Sequence, residues 1–147
     1  MGQRRRAREH ALQMLFQIDL TGAAAADVFR EFWAERPTAE DMRSFAERLV
    51  LGVQAERDDL DRWIRGSADH WRLERMAVVD RNVLRMAVHE MIAPAAPPAA
   101  VVIDEAIEIA RKFGSAESGG FINGILDAIR KRVERGEIRP GLAADRG

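Results

Sequence analysis

Cysteine is absent from the 147 residues, which excludes a disulfide framework, a Cys-based zinc site and a thiol nucleophile, and is compatible with a reducing compartment. Histidine is scarce, and the three residues present are too scattered to form a metal site in its place. Long apolar runs are also missing: none approaches the roughly 20 residues of a membrane span. Residues 1 to 20 are amphipathic without a small-residue cleavage site, which excludes a signal peptide. No segment alternates apolar and polar residues with β-branched enrichment between turn signals, so no sheet is expected. An excess of charge is lacking as well: the formal net charge of −1 argues against attraction of the whole surface to nucleic acid. What remains is a soluble, cytoplasmic domain long enough to bury a core without a covalent staple.

Against that neutral background the first residues, MGQRRRAREHALQMLFQ, stand out. Arg4, Arg5, Arg6 and Arg8 crowd the start of an amphipathic helix, with no acid among residues 4 to 8. The N-terminus of a helix is the positive end of its dipole, so each cation there costs roughly 0.3 to 1 kcal/mol. Folding alone prefers Asp or Glu. A local basic arm on a neutral body can still hold phosphates, and a guanidinium can both pair with phosphate bidentately and stack on an exposed base. The competing reading, a frayed and solvated terminus, is equally compatible with the arm taken alone.

Hydrophobic spacing points to helices throughout. Ala7, Ala11, Met14, Leu15 and Ile18 share one helical face that Thr21-Gly22 closes. Val28, Phe29, Phe32 and Trp33 mark a short helix ended by Pro37. The longest element carries Met42, Phe45, Ala46, Leu49, Val50, Val53, Leu60, Trp63 and Ile64, with a bend expected at Gly52. SADHWRLERMAVVD, residues 67 to 80, has weaker periodicity and reads as a short helix and a turn. Asp80 is the expected N-cap of a broad-striped, central helix from Val83 to Ile92. PAAPP, residues 94 to 98, is a stiff stop. Val102, Ala106, Ile109, Ala110 and Phe113 give another apolar face that Gly114 ends, and Phe121 to Val133 the last. The expected fold class is all-α, with about seven helices.

Enzymatic patterns fail on inspection. His89-Glu90 begins like the zinc motif His-Glu-x-x-His, but Ala93 stands at the second His position. Gly119 and Gly124 have P-loop spacing, but Ile125 follows where Lys is needed and no strand precedes. Asp104, Glu105 and Glu108 read as a solvated helical face or as ion-pair partners. No catalytic site, metal or cofactor is expected. KFGSAESGGFINGIL, residues 112 to 126, is more unusual, because glycine inside a helix costs roughly 1 kcal/mol relative to Ala. Either the helix starts at Ser118 or the backbone is approached closely. Phe121 is a core residue or a stacking platform for a base, and Glu117 is a helix cap or faces a partner.

Three ordered blocks carry a resemblance: RRRARE at residues 4 to 9, DRNVLRMAVHEM at 80 to 91, and VVIDEAIEIARKFGSAESGGFINGILD at 101 to 127. Together they resemble the NusB family of bacterial transcription antitermination factors. The resemblance implies two small helical bundles within one domain over residues 1–136, the first about 3–78 and the second about 79–136, followed by a flexible tail at 137–147. It implies pairing with NusE, a ribosomal protein of the small subunit, and binding of single-stranded boxA RNA in ribosomal RNA leaders by the heterodimer. The bound RNA then nucleates an assembly with RNA polymerase that passes terminators and supports rRNA maturation. Carried over by position, Arg4, Arg5, Arg6 and Arg8 with Glu117 and Phe121 fall on the family's RNA-facing positions. Asp80 falls on its NusE-facing surface, with Arg81 and Arg85 as neighbouring exposed positions. Gly119-Gly120 stands where many relatives have a polar or basic residue, and Arg130, Lys131 and Arg132 are cations that could compensate.

Two other readings stay open on the sequence. Domains of this family also occur fused to rRNA cytosine methyltransferases, although no strand-and-glycine pattern for a methyl-donor fold is present here. The chain could equally be a helical protein-interaction module whose basic arm is a solvated tail. A homodimer through the NusE-facing surface is compatible with all of these readings.

Overall fold

A computed structural model describes residues 2–69 and 71–138. Helix α1 spans Gln3–Thr21 and buries Ala7, Ala11, Leu12, Met14, Leu15 and Ile18, the stripe that the spacing predicts together with Leu12. It stops at Gly22, whose φ of 73° is left-handed and whose N–H donates to the Ile18 carbonyl. Helix α2, Ala25–Ala34, buries Val28 and Phe32. Helix α3, Glu40–Ser67, starts with Glu40 and Asp41, which suit its dipole. It runs through Gly52 without interruption, and the glycine allows a close approach there. A Cβ there would lie 2.3 Å from Cε1 of His89, whose ring packs from α4 and whose Nδ1 sits 2.6 Å from Glu56 Oε1 on α3.

A 3₁₀ turn, Leu73–Arg75, interrupts the connection to α4, Val78–Ile92. Asp80 is not the N-cap of α4. The Arg81 N–H already donates to the Ala77 carbonyl, which places the cap at Ala77 and Asp80 in the first turn. Helix α5 covers Ala99–Phe113 and ends at Gly114, whose backbone is extended rather than left-handed. Glycine is needed there because a Cβ would meet Ser118 Oγ at 2.4 Å and the Ala110 carbonyl at 2.7 Å. Helix α6, Ser118–Glu134, begins at Ser118, one of the two readings left open for the glycine-rich stretch.

Among the described residues there are six α-helices, one 3₁₀ turn and no strand. Helix α4 holds them together. It packs against α1, α3, α5 and α6, while α1 packs on α3 and α5 on α6. The buried residues of both halves form one apolar cluster, in which Leu84, Met86 and Ile92 of α4 lie with Leu60, Ile64, Ile109 and Leu126. Ile138, within the stretch expected to be a tail, is buried in that cluster. The rest of that stretch, residues 139–147, lies outside the described residues.

Candidate nucleic-acid interface

The four arginines at the start of α1 divide into two pairs. Arg8 is buried, and its Nε and Nη2 donate to both oxygens of Glu90 on α4 at 2.7 and 2.9 Å. Arg5 is half-buried and makes the same two-bond contact with Glu105 on α5, both at 2.8 Å. Hydrogen bonding from Arg5 holds the Glu105 carboxyl below its ordinary pKa, against the opposing effect of burial. The carboxylates that the dipole of α1 lacks in its own first turn therefore arrive from α4 and α5. Arg8 is thus not on the outside, as the sequence reading expected. Arg4 and Arg6 are exposed. The Arg4 guanidinium lies 4.3 Å from the ring centre of Phe45, and Arg6 makes no ion pair among the described residues.

At the start of α6, Ser118 is buried and its Oγ accepts the Ser115 N–H at 2.9 Å, closing the turn from α5. Glu117 occupies the N-cap position in a helical conformation, makes no side-chain cap bond and is exposed, so its capping role is not realised. Phe121 is half-buried, with its ring centre 5.2 Å from that of Trp71 and the planes at 76°. Trp71 is 56% exposed and was not singled out from the sequence, where it lies in the weakly periodic segment before α4. The three glycines differ. A Cβ on Gly119 would meet the Arg111 side chain at 3.1 Å, whereas nothing lies within 4 Å of one on Gly120 or Gly124. The cations further along do not supply free charge: Arg130 bonds Asp127 and Glu134, Lys131 pairs with Asp127, and Arg132 bonds Ser67 and the Trp63 carbonyl.

The three positions expected to face a protein partner lie in a different setting from the one anticipated. Arg85 is buried rather than exposed, with Nε and Nη2 on the Asp61 carboxylate at 2.7 and 3.1 Å and Nη1 on Asp19 at 3.1 Å. Arg81 is 17% exposed and donates to Asp19 at 2.8 Å. Asp80 is buried, and its Oδ1 has no hydrogen-bond partner among the described residues. Asp19, near the end of α1, is the hub that the sequence did not reveal. Burial pushes its carboxyl up, but hydrogen bonds from Arg81 and Asn82 and the charge of Arg85 outweigh this and hold its pKa at about 2. One residue before Asp80, Val79 joins Leu12, Gln13, Phe16 and Phe113 around an open, mainly apolar pocket. Phe16 and Phe113 are half-buried, so their rings remain accessible at its mouth. No cluster of His, Asp or Glu suited to a metal occurs among the described residues.

Comparison with known proteins places this geometry. The family profile described as the NusB family matches residues 5–131. The transcription antitermination protein NusB of Sorangium cellulosum is 45% identical over 135 residues, spanning 92% of this chain and 96% of that protein. A solved structure of NusB from T. maritima superposes with a TM-score of 0.81 at 36% identity, covering 91% of this chain and 96% of that one. A chain from a crystal structure of the antitermination factors NusB and NusE in complex with dsRNA gives a TM-score of 0.80 at 29% identity, covering 89% and 98%. In sequence over most of its length and in fold, the chain belongs to the NusB family.

Proposed function

We propose that the chain is a non-enzymatic transcription antitermination factor of the cytoplasm that binds RNA together with NusE. The observation that carries this reading is its likeness, over nine-tenths of its length, to transcription antitermination proteins and to a chain solved with NusE and RNA. The preferred RNA is the single-stranded boxA element of ribosomal RNA leaders, and the complex acts on RNA polymerase. Arg4 and Arg6 are the phosphate contacts, because they are the exposed members of the arm. Arg5 and Arg8 hold the base of the arm against α5 and α4. Phe121 offers a ring to a base beside Glu117. The NusE-type partner covers the pocket of Phe16, Val79 and Phe113, where Val79 is followed in the chain by Asp80 and Arg81. Arg85 supports that surface from beneath through Asp19 and Asp61. In the absence of NusE the same pocket is available to a second copy of the chain.

The test is binding of a boxA-containing single-stranded RNA, with and without NusE, across a salt series. Each lost phosphate contact removes about 0.7 from the slope of log affinity against log salt. The double variant Arg4→Glu, Arg6→Glu should therefore bind more weakly, with a slope shallower by about 1.4 and a melting temperature no lower than that of the native chain, since acids suit a helix start. NusE should tighten binding of boxA over an unrelated RNA. Affinity that ignores the arm, the RNA sequence and NusE alike would overturn the reading.

A further inference from the structure

Arg4 and Arg6 are both exposed, but among the described residues only Arg4 of the two rests on a ring. Its guanidinium lies 4.3 Å from the ring centre of Phe45 on α3, and the enclosed Arg8 lies 5.5 Å from the same centre. Phe45 is half-buried and packs against the common core, so the ring is fixed from beneath. A cation held over a ring face keeps its N–H edge free, and the contact therefore sets where the side chain stands without using the donors that a phosphate needs. An unanchored arginine has to give up rotamer freedom when a ligand arrives. Arg4 has given up part of it already.

One turn beyond Phe45, Arg48 is exposed and makes no ion pair among the described residues. With Arg4 and Phe45 it lines two open clefts. The larger, about 730 Å³, also carries Glu40 and Asp41, and these acids repel a phosphate. The smaller, about 380 Å³, has a single acid in its wall, Glu90, and both oxygens of that carboxylate are taken by Arg8. The α4–α5 loop supplies the rest of the smaller cleft with no charge at all. That loop is stiff, since Pro94 and Pro97 fix their own φ and Ala95 is held at a left-handed φ of 58°. Two free guanidinium groups, a preformed wall and no unpaired acid suit an anion there.

We propose that α3 completes the phosphate site of the arm. Phe45 is a positioning residue that holds Arg4 for an RNA phosphate, and Arg48 is a second contact to a phosphate seated in the smaller cleft. This rests on the RNA-binding reading above and adds to it two residues from a helix that carries none of the three resembling blocks.

The full chain with NusE is titrated with a boxA-containing single-stranded RNA over a salt series. Arg48→Gln should make the slope of log affinity against log salt shallower by about 0.7. Arg30→Gln, the same change of charge at an exposed position on α2, should leave it unchanged. Phe45→Leu should weaken binding about two- to fivefold, while Phe45→Tyr, which keeps a ring under Arg4, should bind as the native chain does. In an Arg4→Gln background Phe45→Leu should have no further effect, because the side chain that it positions is gone. Thermal melts check that each variant is folded, and Phe45→Met, which keeps the bulk of the side chain without its ring, replaces Phe45→Leu if the latter is not. Equal losses from the Phe45 variant in both backgrounds would make the ring purely structural and overturn its positioning role. Slopes for Arg48→Gln and Arg30→Gln that shift alike, or not at all, would remove Arg48 from the site. Either result leaves RNA binding through Arg4 and Arg6 standing, whereas absence of any RNA binding by the unaltered chain with NusE would sink the reading beneath the proposal.

Discussion

Helices α1 and α4 each carry arginines, four in α1 and two in α4, and the two sets are used differently. At α4 both side chains are drawn inward: Arg85 bonds Asp61 and Asp19, and Arg81 bonds Asp19. At α1 the cluster is split, with Arg8 and Arg5 tied to Glu90 and Glu105 while Arg4 and Arg6 stay in solvent. The difference does not lie in residue type, since every one of them is an arginine on a helix. It lies in which carboxylates the packing of other helices delivers. An arginine on a helix serves the fold where a distant acid reaches it, and is left for a ligand where none does.

The largest effect that should follow is at Arg8. Removing one partner of a buried ion pair leaves the other as an uncompensated charge, typically at about 3 to 5 kcal/mol. Arg8→Ala should therefore destabilise the domain by about that amount through the stranded Glu90, read by denaturant unfolding. Arg6→Ala, at an exposed position near the positive end of the α1 dipole, should not lower the midpoint. Equal midpoints for the two variants would erase the distinction between anchored and exported arginines.

A smaller effect is expected at the α4 cluster. Asp19→Asn removes the charge that Arg81 and Arg85 share, and hydrogen bonds to charged groups contribute about 1.5 to 3 kcal/mol. Arg85 retains Asp61, so the loss should fall below that at Arg8. The same carboxylate gives a pH signature. Its folded pKa, about 2, lies below the ordinary Asp value of 3.8. The unfolded chain thus takes up the proton first as pH falls. The contribution of Asp19 is fully present above pH 4 and is lost between about pH 4 and pH 2. Unfolding curves for the native chain and Asp19→Asn should converge across that window, and curves that stay parallel would deny Asp19 its role as hub.

How much of this was legible in the sequence depended on the range of the interaction. The apolar stripe of α1 and its end at Gly22 are set by residues within one or two turns, and the sequence revealed them, while the start of α6 at Ser118 was one of two readings it left open. Asp80 misled because its residue type suits a cap, whereas the backbone ladder of α4 had already begun at Ala77. The close approach at Gly52 was out of reach for a related reason: the ring it makes room for, His89, is 37 residues away. The fate of Arg5 and Arg8 could not be read at all, since their partners stand 100 and 82 residues further on. Within the candidate interface, Phe121 was found through the resemblance. Trp71 and Phe16 were missed because neither falls on a periodic stripe, and their rings gain meaning only beside Phe121 and Val79.

The smallest effect on stability concerns Glu105, and the sharpest comparison within the arm sets it against Glu90. Glu105 is 21% exposed in its side chain and Glu90 10%, while their arginines are 28% and 9% exposed. If RNA phosphates approach the arm, Arg5 can turn to them once its own carboxylate is neutral, whereas Arg8 is enclosed either way. Glu105→Gln removes a negative charge beside the arm and loosens Arg5, so RNA affinity should rise and the salt slope should steepen by about 0.7, the value of one added phosphate contact. Glu90→Gln should give no such gain and should lower the melting temperature, because Arg8 is then buried without its counter-charge. A gain with both variants would mean that net charge alone governs binding. A gain with neither would confine the RNA contact to Arg4 and Arg6 and make Arg5, like Arg8, a strut of the fold.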